Sequence, residues 1–141
     1  MATFNKFNQF VEDVAEKVHN LGADTHKVML SNTAPAATNA VKADITEISA
    51  GNGYTAGGTA ASITSSAQTS GTYKLVLADV VFTASGGSIG PFRYAVLYND
   101  TPTSPADPLI GYWDYGSAVT LAAGETFTVD FSAANGVLTI A

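Results

Sequence analysis

The stretch "TFTVDF", residues 126–131, puts Phe127, Val129 and Phe131 on one side of an extended chain and Thr126, Thr128 and Asp130 on the other. Strand side chains alternate with a period of two, so this pattern marks a half-buried antiparallel strand. The signal recurs. Tyr73, Leu75 and Leu77 alternate, and Val80–Ala84, "FRYAVLY" at 92–98, "LIGYWDY" at 109–115, "AVTL" at 118–121 and "VLTIA" at 137–141 follow. Turn-like segments such as "SGGSIGP", "NDTPTSPADP", "AAGE" and "AANG" separate them. Short strands about 8 to 15 residues apart, without helices between them, argue for a mainly β fold, an antiparallel β-sandwich or barrel-like domain. With 141 residues, the chain reads as a single domain large enough to fold without disulfides or metals.

The N-terminal part breaks this rhythm. Phe7, Val11, Val14, Val18 and Leu21 recur at helical spacing, with Phe4 and Phe10 flanking the stripe. This predicts one amphipathic helix over 4–21, with Thr3 as N-cap and Gly22 as the glycine beyond its C-terminus. The β-sandwich then occupies 27–141, beginning with a short buried strand from Lys27 to Ser31. The helix is expected to pack on the sheet or cover an open edge; the alternative is that Phe4, Phe7 and Phe10 reach a neighbouring subunit. Val41, Ile45 and Ile48 allow one or two helical turns or a strand. "TAASITSSAQTSGTY" reads as one flat, weakly specified strand.

Composition excludes several functions. Charged residues make up 13% of the chain, roughly half the usual share of about 25%. Its six Lys and Arg are scattered singly among twelve Asp and Glu, giving a net charge of −6. Nucleic-acid binding needs clustered cations, so no direct nucleic-acid partner is expected. The absence of cysteine rules out thiol catalysis and Cys-based zinc sites. The N-terminal residues lack the pattern of a signal peptide. No apolar run approaches the roughly 20 residues of a membrane span. A soluble protein without a membrane partner is expected.

Three motifs suggest chemistry. "GNGYTAGG", residues 51–58, fits a dinucleotide fingerprint through Gly51, Gly53 and Ala56, but lacks the following helix, the acid about 20 residues on and any nearby cation. A conformational loop, with Tyr54 pinned on the sheet, is the better reading. "GGSIG", residues 86–90, matches a nucleophile elbow, yet Pro91 and a second strand follow where a helix is required. His19 and His26, with Asp24 nearby, are too few and too polar in setting to make a zinc site the first choice. Asp100 and Asp107 lack a calcium-loop pattern. No catalytic residue, cofactor or metal is expected. Trp113 and Tyr115 share one face of their strand, with Tyr112 on the other; core packing leads, ahead of a protein interface and a sugar platform.

Read together, "HNLGADTHKVMLSNTAP", "ISAGNGYTAGG", "FRYAVLYNDT", "LIGYWDYG" and "GETFTVDFSAANGVLTIA" resemble a family of small structural proteins encoded by tailed bacteriophages, over nearly the whole chain. Met29 stands where members of that family often carry alanine. The resemblance implies a non-enzymatic virion protein, a head decoration or cement protein assembled in the host cytoplasm. Its partner would be the major capsid protein, and it would form a homo-oligomer, with a trimer favoured. A neck or tail ring component, or a carbohydrate- or receptor-binding module using Trp113, are the alternatives. No charged residue lies between Ile48 and Tyr73, which makes that segment the expected contact surface. The candidate partner interface comprises Phe4, Phe7, Gly53, Tyr54, Thr55, Ile63, Trp113 and Tyr115.

Overall fold

In a computed structural model that describes residues 2–141, the alternating stretches form strands and almost all long-range pairing is antiparallel. The elements run β1 (Asn5–Lys6), α1 (Gln9–Ala15), β2 (His26–Ser31), a single 3-10 turn (Lys42–Asp44), β3 (Thr59–Ala61), β4 (Ile63–Thr69) and β5 (Thr72–Leu77). They continue with β6 (Val80–Thr83), β7 (Ile89–Asn99), β8 (Leu109–Leu121), β9 (Thr126–Val129) and β10 (Leu138–Ile140). One layer is a five-stranded sheet in the order β1-β8-β7-β2-β3. The opposing layer consists of a three-stranded sheet, β10-β5-β4, and the β6-β9 pair.

Both layers send side chains into one core. Val28 and Leu30 of β2, Leu97 of β7 and Ile110 of β8 meet Leu75 and Leu77 of β5 and Phe82 of β6. Each such fully buried side chain contributes about 1.5–3 kcal/mol relative to exposure. The five-stranded sheet also carries apolar residues on its outer face. There Met29, Val96, Tyr98 and Leu109 alternate with the inward residues and join Phe7, covered in part by Ile45 beside the 3-10 turn. A sheet buried on both faces explains why "HKVML" and "FRYAVLY" read as apolar runs with weak alternation.

The helix is shorter than its apolar spacing predicts. It begins at Gln9 and stops after Ala15, so Thr3 and Gly22 cap nothing. Residues 5 and 6 are drawn into β1, where Asn5 pairs with Tyr112 and Lys6 with Gly111. Phe4 and Phe7 would share a helix face. In extended chain they fall on opposite sides, with Phe4 against Trp113 and Phe7 against Tyr112. At the other end Lys17 N–H donates to the Val14 carbonyl and Val18 N–H to the Asp13 carbonyl, while Lys17 takes φ 67°. That is a Schellman termination with lysine in the left-handed position where glycine is usual.

Three other expectations change. The strand expected over 59–73 is divided: Ser62 hands the chain from one layer to the other, and a Ser70-Gly71 turn returns it as β5. "LIGYWDY" and "AVTL" fuse into the 13-residue β8 because the 11-residue β7 runs beside them, with bulges absorbing the bends. The first strand starts one residue earlier, at His26, which pairs with both Ala61 and Asn99.

Candidate aromatic cleft and its neighbours

Trp113 lies opposite Ala95 on the inward side of β7 and β8, where the two layers diverge. Its ring is half-buried between Phe4 (centroids 5.4 Å apart, tilted 54°) and Phe131 (5.5 Å, 60°). Two residues on, Tyr115 stands 58% exposed and edge-on to Phe127 at 5.3 Å. Phe127 in turn meets Phe92 edge-on at 5.0 Å. These rings line a cleft of about 450 Å³ open to solvent. At its rim, Arg93 Nε donates to Asp114 Oδ1 at 2.7 Å and Arg93 Nη2 to Oδ2 at 3.0 Å. The Arg93 hydrogen bonds, aided by the Gly116 N–H, hold the Asp114 carboxyl below the usual carboxylate range. The exposed pair adds little stability, but it neutralises Arg93. Asp130 also borders the cleft and, among the described residues, belongs to neither ion pair, Arg93–Asp114 or Lys27–Asp100.

The glycine-rich loop does different work. Gly51 and Tyr54 exchange two backbone hydrogen bonds, of 2.8 and 3.1 Å, around Asn52 (φ 57°) and Gly53 (φ 99°). Two positive φ angles at an Asn-Gly centre make a tight type I′ turn. Gly53 also sits where any Cβ would strike the Thr83 carbonyl. Tyr54 is buried; its hydroxyl accepts from Leu30 N–H and donates to Glu47 Oε1, both at 3.0 Å. Burial pushes the phenol well above its ordinary pKa, and the Glu47 carboxylate adds to the effect. Glu47 Oε1 also accepts the Gly57 N–H at 2.5 Å, and the Tyr98 hydroxyl donates to the Gly57 carbonyl at 2.6 Å. The amide a phosphate would need is thus taken by the protein's own carboxylate.

The polar end of the core lies around Asn99. Its amide Nδ2 donates to Asp24 Oδ2 at 2.7 Å and lies 3.1 Å from His19 Nδ1. His26 Nε2 bonds the Leu21 carbonyl at 2.9 Å. Burial lowers the His19 pKa to about 4, against the opposing pull of Asp13, and burial also lowers that of His26. Both rings are neutral near pH 7, structural parts of a hydrogen-bonded network. Among the described residues, no group of three or more His, Cys, Asp or Glu is placed to hold a metal ion. Ser88 sits in an exposed turn that leads into β7, not a helix, so "GGSIG" lacks the geometry of a nucleophile elbow.

Of the eight candidate interface residues, the fold brings Phe4, Trp113 and Tyr115 to the cleft. Gly53, Tyr54 and Thr55 stay together on the loop, and Ile63 opens β4, packed against the main core. Phe7 and Tyr54, 0% and 2% exposed, are corrected from contact residues to core residues. Phe7 is taken up by the outer-face cluster, and the Tyr54 hydroxyl by Leu30 and Glu47. The sequence reading missed Phe127, Phe131 and the Arg93–Asp114 pair as neighbours of Trp113. Alternation in "TFTVDF" already put both phenylalanines on one face, but which strand they face depends on pairing. Comparison with protein-family models, curated proteins and solved structures finds no match to this chain.

Proposed function

We propose that this chain is a non-catalytic component of a tailed-phage virion, a head decoration protein that binds the major capsid protein and stabilises the assembled shell. The observation that carries the reading is the free edge made by the charge-free segment. β3 ends the five-stranded sheet and β4 ends the three-stranded one, so residues 59–69 supply an outer edge to both layers. β4 is seven residues long and among the described residues pairs only with β5, and Thr64, Ser65, Ala67, Gln68 and Thr69 are exposed. Exposed edges are normally guarded by lysine, proline or short length. β4 carries neither residue. An unguarded edge suits strand addition by a protein partner, in which backbone hydrogen bonds supply affinity. The sequence resemblance points to the same class of partner.

Repetition makes weak single contacts sufficient, because an oligomer on a repeating lattice binds multivalently. Mass-spectrometric copy number in purified virions tests the assignment. Shell decoration predicts on the order of hundreds of copies, whereas about 6 or 12 would indicate a ring on the head–tail axis. Absence from the virion would overturn the proposal altogether.

A further inference from the structure

Residues 16–24, between α1 and β2, are tied to the sheets by side chains. The N–H groups of Glu16, Lys17, Val18 and His19 bond carbonyls of the helix, and those of Ala23 and Asp24 bond the Asn20 carbonyl. Among the described residues, no backbone-to-backbone hydrogen bond joins 16–24 to a strand. The attachments are few. Leu21 enters the core and its carbonyl meets His26 Nε2, while His19 and Asp24 both meet Asn99 at the end of β7. Gly22 adds a close approach to Ser66 of β4. A segment held this way opens at lower cost than the strands beneath it.

Chemistry fixes the hydrogen-bond roles in this attachment. Asn99 Oδ1 accepts the Thr101 N–H at 3.1 Å and Nδ2 faces the Asp24 carboxylate, so the amide has one satisfied orientation. Its two N–H bonds then go to Asp24 Oδ2 and His19 Nδ1, which makes Nδ1 the bare, accepting nitrogen and puts the ring proton on Nε2. His26 is the same tautomer, because Nε2 faces the Leu21 carbonyl, and its bare Nδ1 is buried with no partner among the described residues. Neither ring has room for a second proton. On His19 it would set N–H against N–H, and turning the Asn99 amide over would press its oxygen on the Asp24 carboxylate. On His26 it would leave a buried charge without an acceptor at Nδ1. We infer that residues 16–24 form an acid-released clasp, which protonation of His19 and His26 detaches from Asn99 while the two layers stay folded.

The neighbouring charges do not prevent this. Asp13 of α1 and Asp24 of the segment favour a protonated His19, His26 of β2 opposes it, and burial outweighs them, holding His19 at about 4. Asp13 Oδ1 is engaged by Gln9 Nε2, and Lys17 borders the same surface hollow as His19. Lys27 and Asp100 neutralise each other at 3.0 Å. Beside His26, β3 and β7 present Ala61 and Asn99, neither of which titrates. A released His19 titrates near 6.5, so release takes up a proton as the pH falls from there toward 4.

Residue-resolved amide exchange of the free protein across that window, corrected for intrinsic rates, tests the clasp. Amides of Val18, His19, Asn20, Ala23 and Asp24 should lose roughly tenfold or more in protection per pH unit below 6.5. At the acid end, those of residues 28–30 and 95–97 should remain protected well beyond them. Long-range proton–nitrogen NMR spectra at neutral pH should show a bare Nδ1 and a protonated Nε2 in both rings. His19→Gln should flatten the pH dependence of the segment; should that variant not fold, exchange and tautomer in the unaltered chain still decide. Protection in 18–24 that ignores pH, equal loss across both layers, an Nδ1-protonated His19, or an undiminished slope in folded His19→Gln would each overturn the clasp. None of these readouts involves phage heads, so the clasp is tested apart from the virion proposal.

Discussion

The charge-free segment 48–73 and the aromatic cleft were both expected to meet partners, yet they are built on opposite principles. In the segment, side chains are small and the backbone is what is offered: a type I′ turn, a glycine-rich loop and an unpaired strand edge. In the cleft, the walls come from β7, β8 and β9, and the rings are what is offered. Low charge means different things in the two places. Along β4 it leaves an edge open to strand addition, whereas around Trp113 it leaves apolar surface bracketed by one neutralised ion pair. A region can therefore be adhesive through its hydrogen-bonding groups or through its side chains, and substitutions should separate the two.

The largest effect is expected at Gly58. Its φ is 81°, and a Cβ there would run into the Val28 backbone. Gly58→Ala should cost more than about 4 kcal/mol, enough to unfold a marginally stable domain, as read by circular dichroism and urea melts. A fully folded Gly58→Ala would mean that the loop is not held by close approach to β2. Next, a Ser65→Lys, Ala67→Lys double variant places two exposed charges on β4. It should leave stability within about 0.5 kcal/mol but abolish retention on phage heads in a sedimentation assay. Tyr115→Ala should leave both stability and head binding intact, so loss of head binding in that variant would erase the distinction between the regions.

Tyr54→Phe should cost about 1–3 kcal/mol, because it orphans the buried Leu30 N–H and removes a partner of Glu47. Chemical denaturation measures this, and a neutral result would show that the ring alone pins the loop. The effect that is smallest at neutral pH is an acid dependence at the polar end, remote in sequence from both regions. His19 titrates near pH 4 when folded and near its ordinary 6.5 when unfolded, so between those values the unfolded chain binds the extra proton. Stability should be full above pH 6.5 and fall by roughly 3 kcal/mol as the pH drops to 4, with His26 acting in the same direction. His19→Gln should flatten the urea-midpoint profile across that window. An unchanged slope would assign the acid sensitivity to other groups.

Local pattern revealed most of the strands, because alternation in "TFTVDF" or around Leu75 is imposed by a single buried face. It failed where tertiary pairing overrode spacing. Phe4 and Phe7 satisfied a helical stripe, but pairing of Asn5 and Lys6 with β8 made that stretch extended. Lys17 ends the helix in a left-handed conformation that no glycine advertises. The Asn-Gly turn was visible as glycine content, whereas Glu47 reaching Gly57 and Tyr54 has no local signature. For the cleft, Trp113 and Tyr115 were legible as a shared face. Phe131 and the Arg93–Asp114 clamp come from distant strands, and only the fold assembles them.

Hydrogen–deuterium exchange, compared between the free protein and the protein bound to phage heads, tests the central claim most directly. Strand addition at the free edge predicts that amides of Ile63–Thr69 slow markedly on the head, while those flanking Trp113 and Tyr115 exchange as before. Identical exchange across 63–69 in the two states, with protection appearing at the cleft instead, would contradict it.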